Sequence, residues 1–399
     1  MPKNKIIVIG GGYAGLRAIE HLAKNPHNDI MLLDKNPYHF MQTEVYDLIA
    51  NEEDFAQVSV DLFTFCMGFD DNVVFYKQDV TNIDFKNKKV ITDVNRFNYD
   101  YIILAVGSRT KFNSNVIGLR KYSYGIKALH RAMYFKQKFE MSLFKRVDAS
   151  GTTCNALNII IAGGGLSGVE IAAQMASFSL DFYSSNNFLC RKLNIVIVNS
   201  GEHILKGVDE KLVKKSDQRL KELEVIIKNN RKVVEVTKSS VILSCGEVMQ
   251  MDFMIYAGGV EPNHLLYELN VDKNEKGYIV TNKFLEIPDY ENSFAIGDCT
   301  TIYNKDNEII SPTADVAEQM AELCAKNINN LINKKQLIAH KIKSRGMLIA
   351  LGRGYAVSKI FGMYFSGYIA FIMKKAVERL YAKKLDTHSR KGCKKIFKD

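Results

Sequence analysis

The chain has 399 residues, 47% of them hydrophobic and 25% charged, which suits about two folded domains with an appendage and excludes a low-complexity chain. Its formal net charge of +10 is unevenly spread: from Lys359 onward there are 11 Lys/Arg against 3 Asp/Glu. Such an excess favours an anionic partner near the C-terminus.

Residues 5–9, KIIVI, read as a buried parallel strand, because apolar residues run without alternation. A glycine turn follows, then a helix from Ala14 to about Lys24, and DIMLLD (29–34) is the next strand. Residues 73–93 read as strands around an NKK turn, and DYIILAVGS (100–108) as a buried strand ending at Gly107. Residues 126–147 carry a helical pattern, and DASGTTCNA (148–156) reads as a domain joint. The grammar then restarts: strand 158–162, glycine turn, helix 166–178, strand 193–198, paired strands between 225 and 250, and DFMIYAGG (252–259). GYIVTN and SFAIGD follow, and a helix starts near Thr313. From Leu348 the sequence becomes apolar and punctuated by glycine, and it ends in a basic tail.

The first glycine turn is Gly10-x-Gly12-x-x-Gly15, between a strand and a helix. The first glycine permits the tight turn, the second lets the backbone approach a pyrophosphate, and the third lets helix and strand pack closely. The helix N-terminus offers free N–H groups and partial positive charge to the phosphates. Asp34 ends the next strand 19 residues after Gly15, where an acid bonds a ribose hydroxyl. Ala14 and Lys35 flank these positions. Gly163-x-Gly165-x-x-Gly168, with Ser167 in the turn, repeats the pattern. There the strand ends at Asn199, which can bond a ribose hydroxyl without charge, and Glu202 is a substitute acid. No arginine directly follows Asn199 to take a 2′-phosphate, which favours NADH over NADPH. Two cradles in one chain suit FAD in the first and NADH in the second, with their rings brought to contact for hydride transfer.

Four further stretches carry a family resemblance. YDYIILAVGS, with Ala105 and Gly107, and MDFMIYAGGVEPN, with Gly258 and Gly259, resemble the strand–turn motifs that join the FAD and NAD domains of the two-dinucleotide flavoprotein superfamily. ENSFAIGDCT resembles its second FAD motif, which implies that Asp298 bonds the ribityl chain. SPTADVAEQMAELCAKNI opens a helix with Ser311 or Thr313 as cap and Pro312 in the first turn; the resemblance implies that its N-terminus, at Ala314, points at the flavin's pyrimidine edge.

Within that superfamily the chain resembles the type II NADH dehydrogenases, single-subunit NADH:quinone oxidoreductases that do not pump protons. The matching stretches are LLDKNPYHFMQTEVYDLIA, GGGLSGVEIA and, near the C-terminus, GMLIALGRGYAV and FSGYIAFIM. The resemblance implies an active-site role for Glu170, beside the nicotinamide. It also implies a quinone contact at Gln319, in the family's A-Q-x-A-x-Q motif. Here that motif reads Ala314-Asp315-Val316-Ala317-Glu318-Gln319, so Asp315 replaces a glutamine. An ionised carboxylate cannot donate to a quinone carbonyl, whereas a buried, protonated one can. His39 reads either as a flavin-phosphate contact or as a structural histidine.

The implied fold is α/β: two Rossmann-like dinucleotide-binding domains and an amphipathic, membrane-anchoring C-terminal region. The expected bounds are 1–112 and 263–330 for the two parts of the FAD domain, 113–155 for the connecting helix and loop, 156–262 for the NAD(P)H domain and 331–399 for the membrane-association region. Residues 360–373 read as an apolar, aromatic helix edged by Lys359, Lys374 and Lys375, the composition of an interfacial helix. This run of 14 uncharged residues is shorter than the roughly 20 a spanning helix needs. Residues 388–399 read as a solvated basic segment and not a nucleic-acid site.

Membrane quinone, menaquinone or ubiquinone, is the expected acceptor, and a homodimer is consistent with the resemblance. The start MPKNK carries no signal-peptide pattern, so the cytoplasmic face of the membrane is the expected location. Seven cysteines with no C-x-x-C or zinc-ligand spacing imply free thiols and no metal. Two alternatives remain: a sulfide:quinone oxidoreductase, for which Cys154 would need a redox partner, and a slow FAD- and NADH-binding redox sensor.

Overall fold

The computed structural model describes residues 3–148, 156–185 and 193–397. The first unit is built on β1 (Asn4–Ile9), whose Ile6–Ile9 run is buried, as a central parallel strand covered on both faces must be. After the glycine turn come α1 (Tyr13–Leu22) and β2 (Asn28–Asp34), parallel to β1 with Ile6 beside Ile30. α2 (Val45–Ile49) and α3 (Leu62–Met67) precede β3 (Val73–Lys77), the parallel neighbour of β2. β4 (Tyr101–Leu104) pairs with the other side of β1. Residues 80–98 form an antiparallel excursion that turns through the NKK segment, as expected.

α4 (Leu129–Asp148) precedes the second unit. Most of the expected joint at 148–156 lies outside the described residues, as do Cys154 and Cys190. The second unit restates the first: β5 (Leu157–Ala162), α5 (Leu166–Ser185), β6 (Leu193–Val198), α6 (Glu210–Glu222), β7 (Ile226–Lys228) and β8 (Phe253–Tyr256). All its strand pairs are parallel, in the order β7-β6-β5-β8. α5 runs past the expected 178 because no glycine or proline stops it before Ser185. The paired strands expected between 225 and 250 appear as a small antiparallel sheet over 233–250 beside β7 in sequence.

β9 (Ser293–Ala295) then returns to the first sheet, completing the parallel order β9-β4-β1-β2-β3. β1 and β5 therefore sit where the strand order reverses in their sheets, and the crevice beyond such a strand's C-terminal end is where ligands bind. GYIVTN makes only isolated bridges at Ile279. α7 (Ala314–Ile332) is capped by Thr313, whose hydroxyl accepts from the Val316 N–H at 3.2 Å. The cap is thus Thr313, not Ser311, and Pro312 precedes the helix instead of lying in its first turn.

The C-terminal region differs from the single interfacial helix expected. β10 (Gly346–Ala350), β11 (Ala356–Ile360) and β12 (Met363–Gly367) form an antiparallel sheet, and α8 (Tyr368–Ile396) begins only after it. A tight turn at Phe361–Gly362 breaks the 360–373 run: both residues take positive φ, 47° and 84°, which a right-handed helix does not carry. The basic tail is not a solvated segment either, since α8 continues to Ile396 and packs along α3. Gly392 is buried there, and a Cβ on it would stand 1.9 Å from the Thr64 carbonyl oxygen. Gly68 on α3's end abuts the His388 carbonyl in the same way, so two glycines let the helix backbones touch. His388 stacks on Phe69 with centroids 4.2 Å apart. Among the described residues, no helix is long and apolar enough to cross a membrane.

Candidate active site

The two glycine elbows have the same construction. Gly10 has φ +106°, and a Cβ there would stand 2.4 Å from the Ala105 carbonyl oxygen. A Cβ on Gly15 would be 1.9 Å from the Gly10 oxygen, whereas one on Gly12 would meet nothing within 4 Å. Gly163, Gly168 and Gly165 repeat these values, with the Ala257 oxygen 2.4 Å from Gly163, the Gly163 oxygen 1.9 Å from Gly168, and nothing near Gly165. In each elbow the first and third glycines answer to the protein's own backbone, and the middle one leaves room for something else. α1 has no side-chain cap at Gly12, so its first N–H groups are free for a phosphate. Both elbows therefore fit a dinucleotide pyrophosphate.

Asp34 does more than end β2. Its carboxylate accepts from the Gly11 N–H at 2.7 Å and the Asn36 N–H at 2.8 Å, so it steadies the elbow that it faces. Burial raises its pKa, and the two N–H bonds oppose that rise. Lys35 beside it is exposed. At the second elbow Asn199 packs on Gly164 and donates to the Gly201 carbonyl at 3.1 Å and Asn229 Oδ1 at 2.8 Å. Its amide N–H groups are spent there, leaving Oδ1 as the acceptor for a hydroxyl. Glu202 is exposed beside His203 at 3.8 Å, and the structure does not bring it into the elbow. Ser167 is exposed in the first turn of α5, past the glycine turn where it was expected, and Gly258 and Gly259 follow β8.

Asp298 follows β9 in a 3₁₀ turn that packs on α7, where a Cβ on Gly297 would stand 3.9 Å from that of Ala317. It accepts from Ser108 Oγ at 3.0 Å, and Ser108 in turn accepts from Lys127 Nζ at 2.5 Å. Lys127 lies 3.5 Å from Asp298, and desolvation holds its pKa below the usual lysine value despite that partner. Lys127 was not legible in the sequence, because no motif marks it. Gly107 immediately precedes Ser108 in this crossing between the units.

Glu170 lies just past the first turn of α5, part-buried against the C-terminal region. It accepts from the Ala350 N–H at 3.1 Å and faces Lys374 Nζ at 3.6 Å. Desolvation raises its pKa and Lys374 counters that rise. Lys374 is only 9% exposed, and it also meets Glu378 at 3.2 Å. Lys375 bonds Asp47 at 2.8 Å, Glu53 at 3.2 Å and Glu378 at 3.3 Å. Gln174 of α5 donates to the other Asp47 oxygen at 2.8 Å. Two of the lysines expected to flank a membrane helix, Lys374 and Lys375, thus point inward, into a buried ionic junction of α2, α5 and α8.

Gln319 and Asp315 are brought together. Gln319 donates to Asp315 at 2.9 Å and to the Lys343 carbonyl at 3.0 Å, so both of its N–H groups are engaged. Asp315 also accepts from the Arg345 N–H at 3.3 Å and pairs with its guanidinium at 3.4 Å. It is an acceptor at every one of these contacts. His39 turns out to be structural: Nδ1 donates to the Gly11 carbonyl at 2.9 Å, which leaves Nε2 to accept from the Tyr381 hydroxyl at 3.0 Å. Burial lowers its pKa to about 4, so the ring is neutral.

Residues 4–321 match the model of the pyridine nucleotide-disulphide oxidoreductase family. The chain belongs to that family. Its fold follows suit: the chain is similar to a Plasmodium falciparum NDH2 structure in complex with NADH, at a TM-score of 0.84, 19% identity, and 98% and 97% coverage of the two chains. A sulfide:quinone oxidoreductase from Aquifex aeolicus is also similar, at a TM-score of 0.79, 19% identity, and 96% and 92% coverage. In sequence the chain is 27% identical over 383 residues to a type II NADH:quinone oxidoreductase of Staphylococcus aureus, covering 94% of each chain.

Proposed function

We propose that this chain is a non-proton-pumping NADH:quinone oxidoreductase that holds FAD in the first elbow and NADH in the second. The observation that carries the reading is the doubled elbow itself, within a chain that spans 94% of a type II NADH:quinone oxidoreductase. FAD, when bound, supplies the ring that takes a hydride from NADH and passes two electrons to quinone. The protein's work is positional and electrostatic. The open backbone at Gly12 and Gly165 receives the two pyrophosphates, and Asp34 and Asn199 offer acceptors to the riboses. Asp298 bonds the ribityl chain, with Lys127 held beside it. The N-terminus of α7, at Ala314, favours negative charge at the flavin's pyrimidine edge. Glu170 lies within two residues of Gly168, beside the nicotinamide.

Gln319 contacts the quinone after exchanging one of its two present acceptors for the quinone carbonyl. Asp315 holds Arg345 and Gln319 in register and acts as an acceptor. NADH is preferred over NADPH, since no arginine directly follows Asn199 to take a 2′-phosphate; Arg231, whose N–H donates to the Asn199 carbonyl at 3.0 Å, turns its guanidinium to the Asn230 carbonyl at 3.1 Å.

Docking is peripheral, on the cytoplasmic face. Phe361 at the hairpin turn is 79% exposed, and Tyr368, Ile369, Ile372 and Leu380 are exposed on α8. Arg379 and Lys383 on the same helix supply the cations for anionic lipid.

The sulfide reading needs a reactive thiol by the flavin. Cys299, beside Asp298, donates to the carbonyls of Leu104 and Ile296, and burial pushes its pKa up to about 12. A thiol so placed is inert. Steady-state turnover of purified, flavin-loaded protein in lipid tests the proposal. NADH-dependent reduction of menaquinone or ubiquinone analogues, faster than with NADPH or sulfide, supports it. Sulfide-dependent turnover, or a rate near zero with every quinone, refutes it.

A further inference from the structure

Seven residues separate Lys374 from Tyr381 on α8, close to two full turns, so both side chains leave one face of the helix about 10.5 Å apart along its axis. Each reaches a different elbow. Lys374 faces Glu170, two residues past Gly168 on the helix that opens from the second elbow, at 3.6 Å. The Tyr381 hydroxyl donates to His39 at 3.0 Å, and His39 holds the Gly11 carbonyl at 2.9 Å. The two peptide groups that meet at Gly11 are thus both held, its N–H by Asp34 and its C=O by His39. The Tyr381 ring also lies 4.8 Å from that of Tyr13, the first residue of α1. Between the two anchors, Glu378 joins Lys374 at 3.2 Å to the Tyr46 hydroxyl at 3.1 Å.

The two elbows belong to separate hydrophobic cores, one around β1 and α7 and the other around β5 and α5. Apolar packing is non-directional and tolerates sliding, whereas an ion pair and a hydrogen bond fix distance and angle. We propose that Tyr381 and Lys374 are positioning residues that hold the two elbows at a set separation, so that the seating of α8 governs hydride transfer between the bound dinucleotides. The inference rests on the FAD and NADH reading above. Hydride transfer is the step most sensitive to such a strut, since a displacement of about 1 Å can cost about a hundredfold in rate. α8 is also the helix with exposed Tyr368, Ile369, Ile372 and Leu380, so a surface that loads that face acts on both elbows at once.

The test is anaerobic stopped-flow bleaching of full-length, flavin-loaded protein by NADH, and by NADH deuterated at the transferred C4 position. Tyr381→Phe keeps the ring and removes only the hydroxyl. Gly392→Ala acts about three turns further along α8, where its Cβ would stand 1.9 Å from the Thr64 oxygen and lift the helix from α3. Both variants are expected to bleach about tenfold more slowly at saturating NADH, with a larger isotope effect and less than a twofold change in NADH affinity. Lys374→Met is expected to slow bleaching in the same direction. Release of FAD from Tyr381→Phe is expected to be faster than from the wild type. Wild-type bleaching rates and isotope effects in Tyr381→Phe and Gly392→Ala overturn the proposal. If only one of the two retains flavin, its rate decides alone. A wild-type protein that NADH does not bleach removes the functional reading instead, so the two failures are distinguishable.

Discussion

The elbow glycines divide into two kinds, and substitution should separate them. A Cβ on Gly15 or Gly168 would stand 1.9 Å from a carbonyl oxygen, against an ordinary contact of at least 3.4 Å, so helix and strand must part by about 1.5 Å. Overpacking of that kind costs about 1–3 kcal/mol. A Cβ on Gly12 or Gly165 meets no protein atom within 4 Å. Gly12 has φ −85° and ψ −171°, an extended conformation open to alanine. Gly15→Ala should therefore lower the melting temperature of the flavin-free protein by several degrees and weaken FAD binding as a consequence. Gly12→Ala should leave that temperature within about a degree and still weaken FAD binding, because its methyl occupies the space left for the pyrophosphate. Gly165→Ala should do the same for NADH while sparing FAD. Thermal unfolding without cofactor, paired with FAD and NADH titrations, reads both quantities. An unaltered FAD affinity in Gly12→Ala, or an unaltered melting temperature in Gly15→Ala, would refute the division.

Three other outcomes follow from the site's chemistry. His39 is neutral in the fold with a pKa of about 4, below the unfolded value of about 6.5. The unfolded chain therefore takes the proton first, and His39 costs stability progressively as pH falls from about 6.5 to about 4, by up to about 3 kcal/mol. Relative to the wild type, His39→Gln should gain stability over that window; a difference that stays flat with pH would contradict the assignment. Lys375→Met should destabilise by about 3–5 kcal/mol at pH 8, because the Asp47 carboxylate, 2% exposed, loses its cation. The loss should shrink at pH 5, where Asp47 is protonated, since burial already pushes its pKa up to about 7. Denaturant titration at the two pH values checks this. Asp315→Ala should lower the KM for quinone and leave NADH bleaching unchanged, since it removes the acceptor on which a Gln319 N–H is now spent. An unchanged quinone KM would count against Gln319 as the contact.

The Rossmann units were legible because their signals are local. Uninterrupted apolar runs mark β1, β2, β5 and β6, and three glycines at fixed offsets mark each elbow. Gly10 and Gly163 have the positive φ that their motif requires. The C-terminal region was misread because a 14-residue apolar run has no distinctive period; the turn at Phe361–Gly362 divides it between a strand pair and a helix. Lys374 and Lys375 looked like solvated flanks because sequence does not reveal that Glu170 and Asp47, some 200 and 330 residues earlier, wait opposite them. Lys127 and Tyr381 carry no motif and become visible only when the fold sets them against Ser108 and His39. Asn199 and Asp315 were legible as departures, but not the partners that occupy them.

The central claim is that one chain takes electrons from NADH at one elbow and passes them, through a flavin held at the other, to a quinone. A sequential-mixing experiment tests it most directly: flavin-loaded protein in lipid is bleached anaerobically with one equivalent of NADH and then mixed with a menaquinone or ubiquinone analogue. The account predicts rapid bleaching, then full return of the oxidised flavin spectrum with one quinol formed per NADH consumed. Bleaching that no quinone reverses, or protein that takes up no flavin, would contradict it.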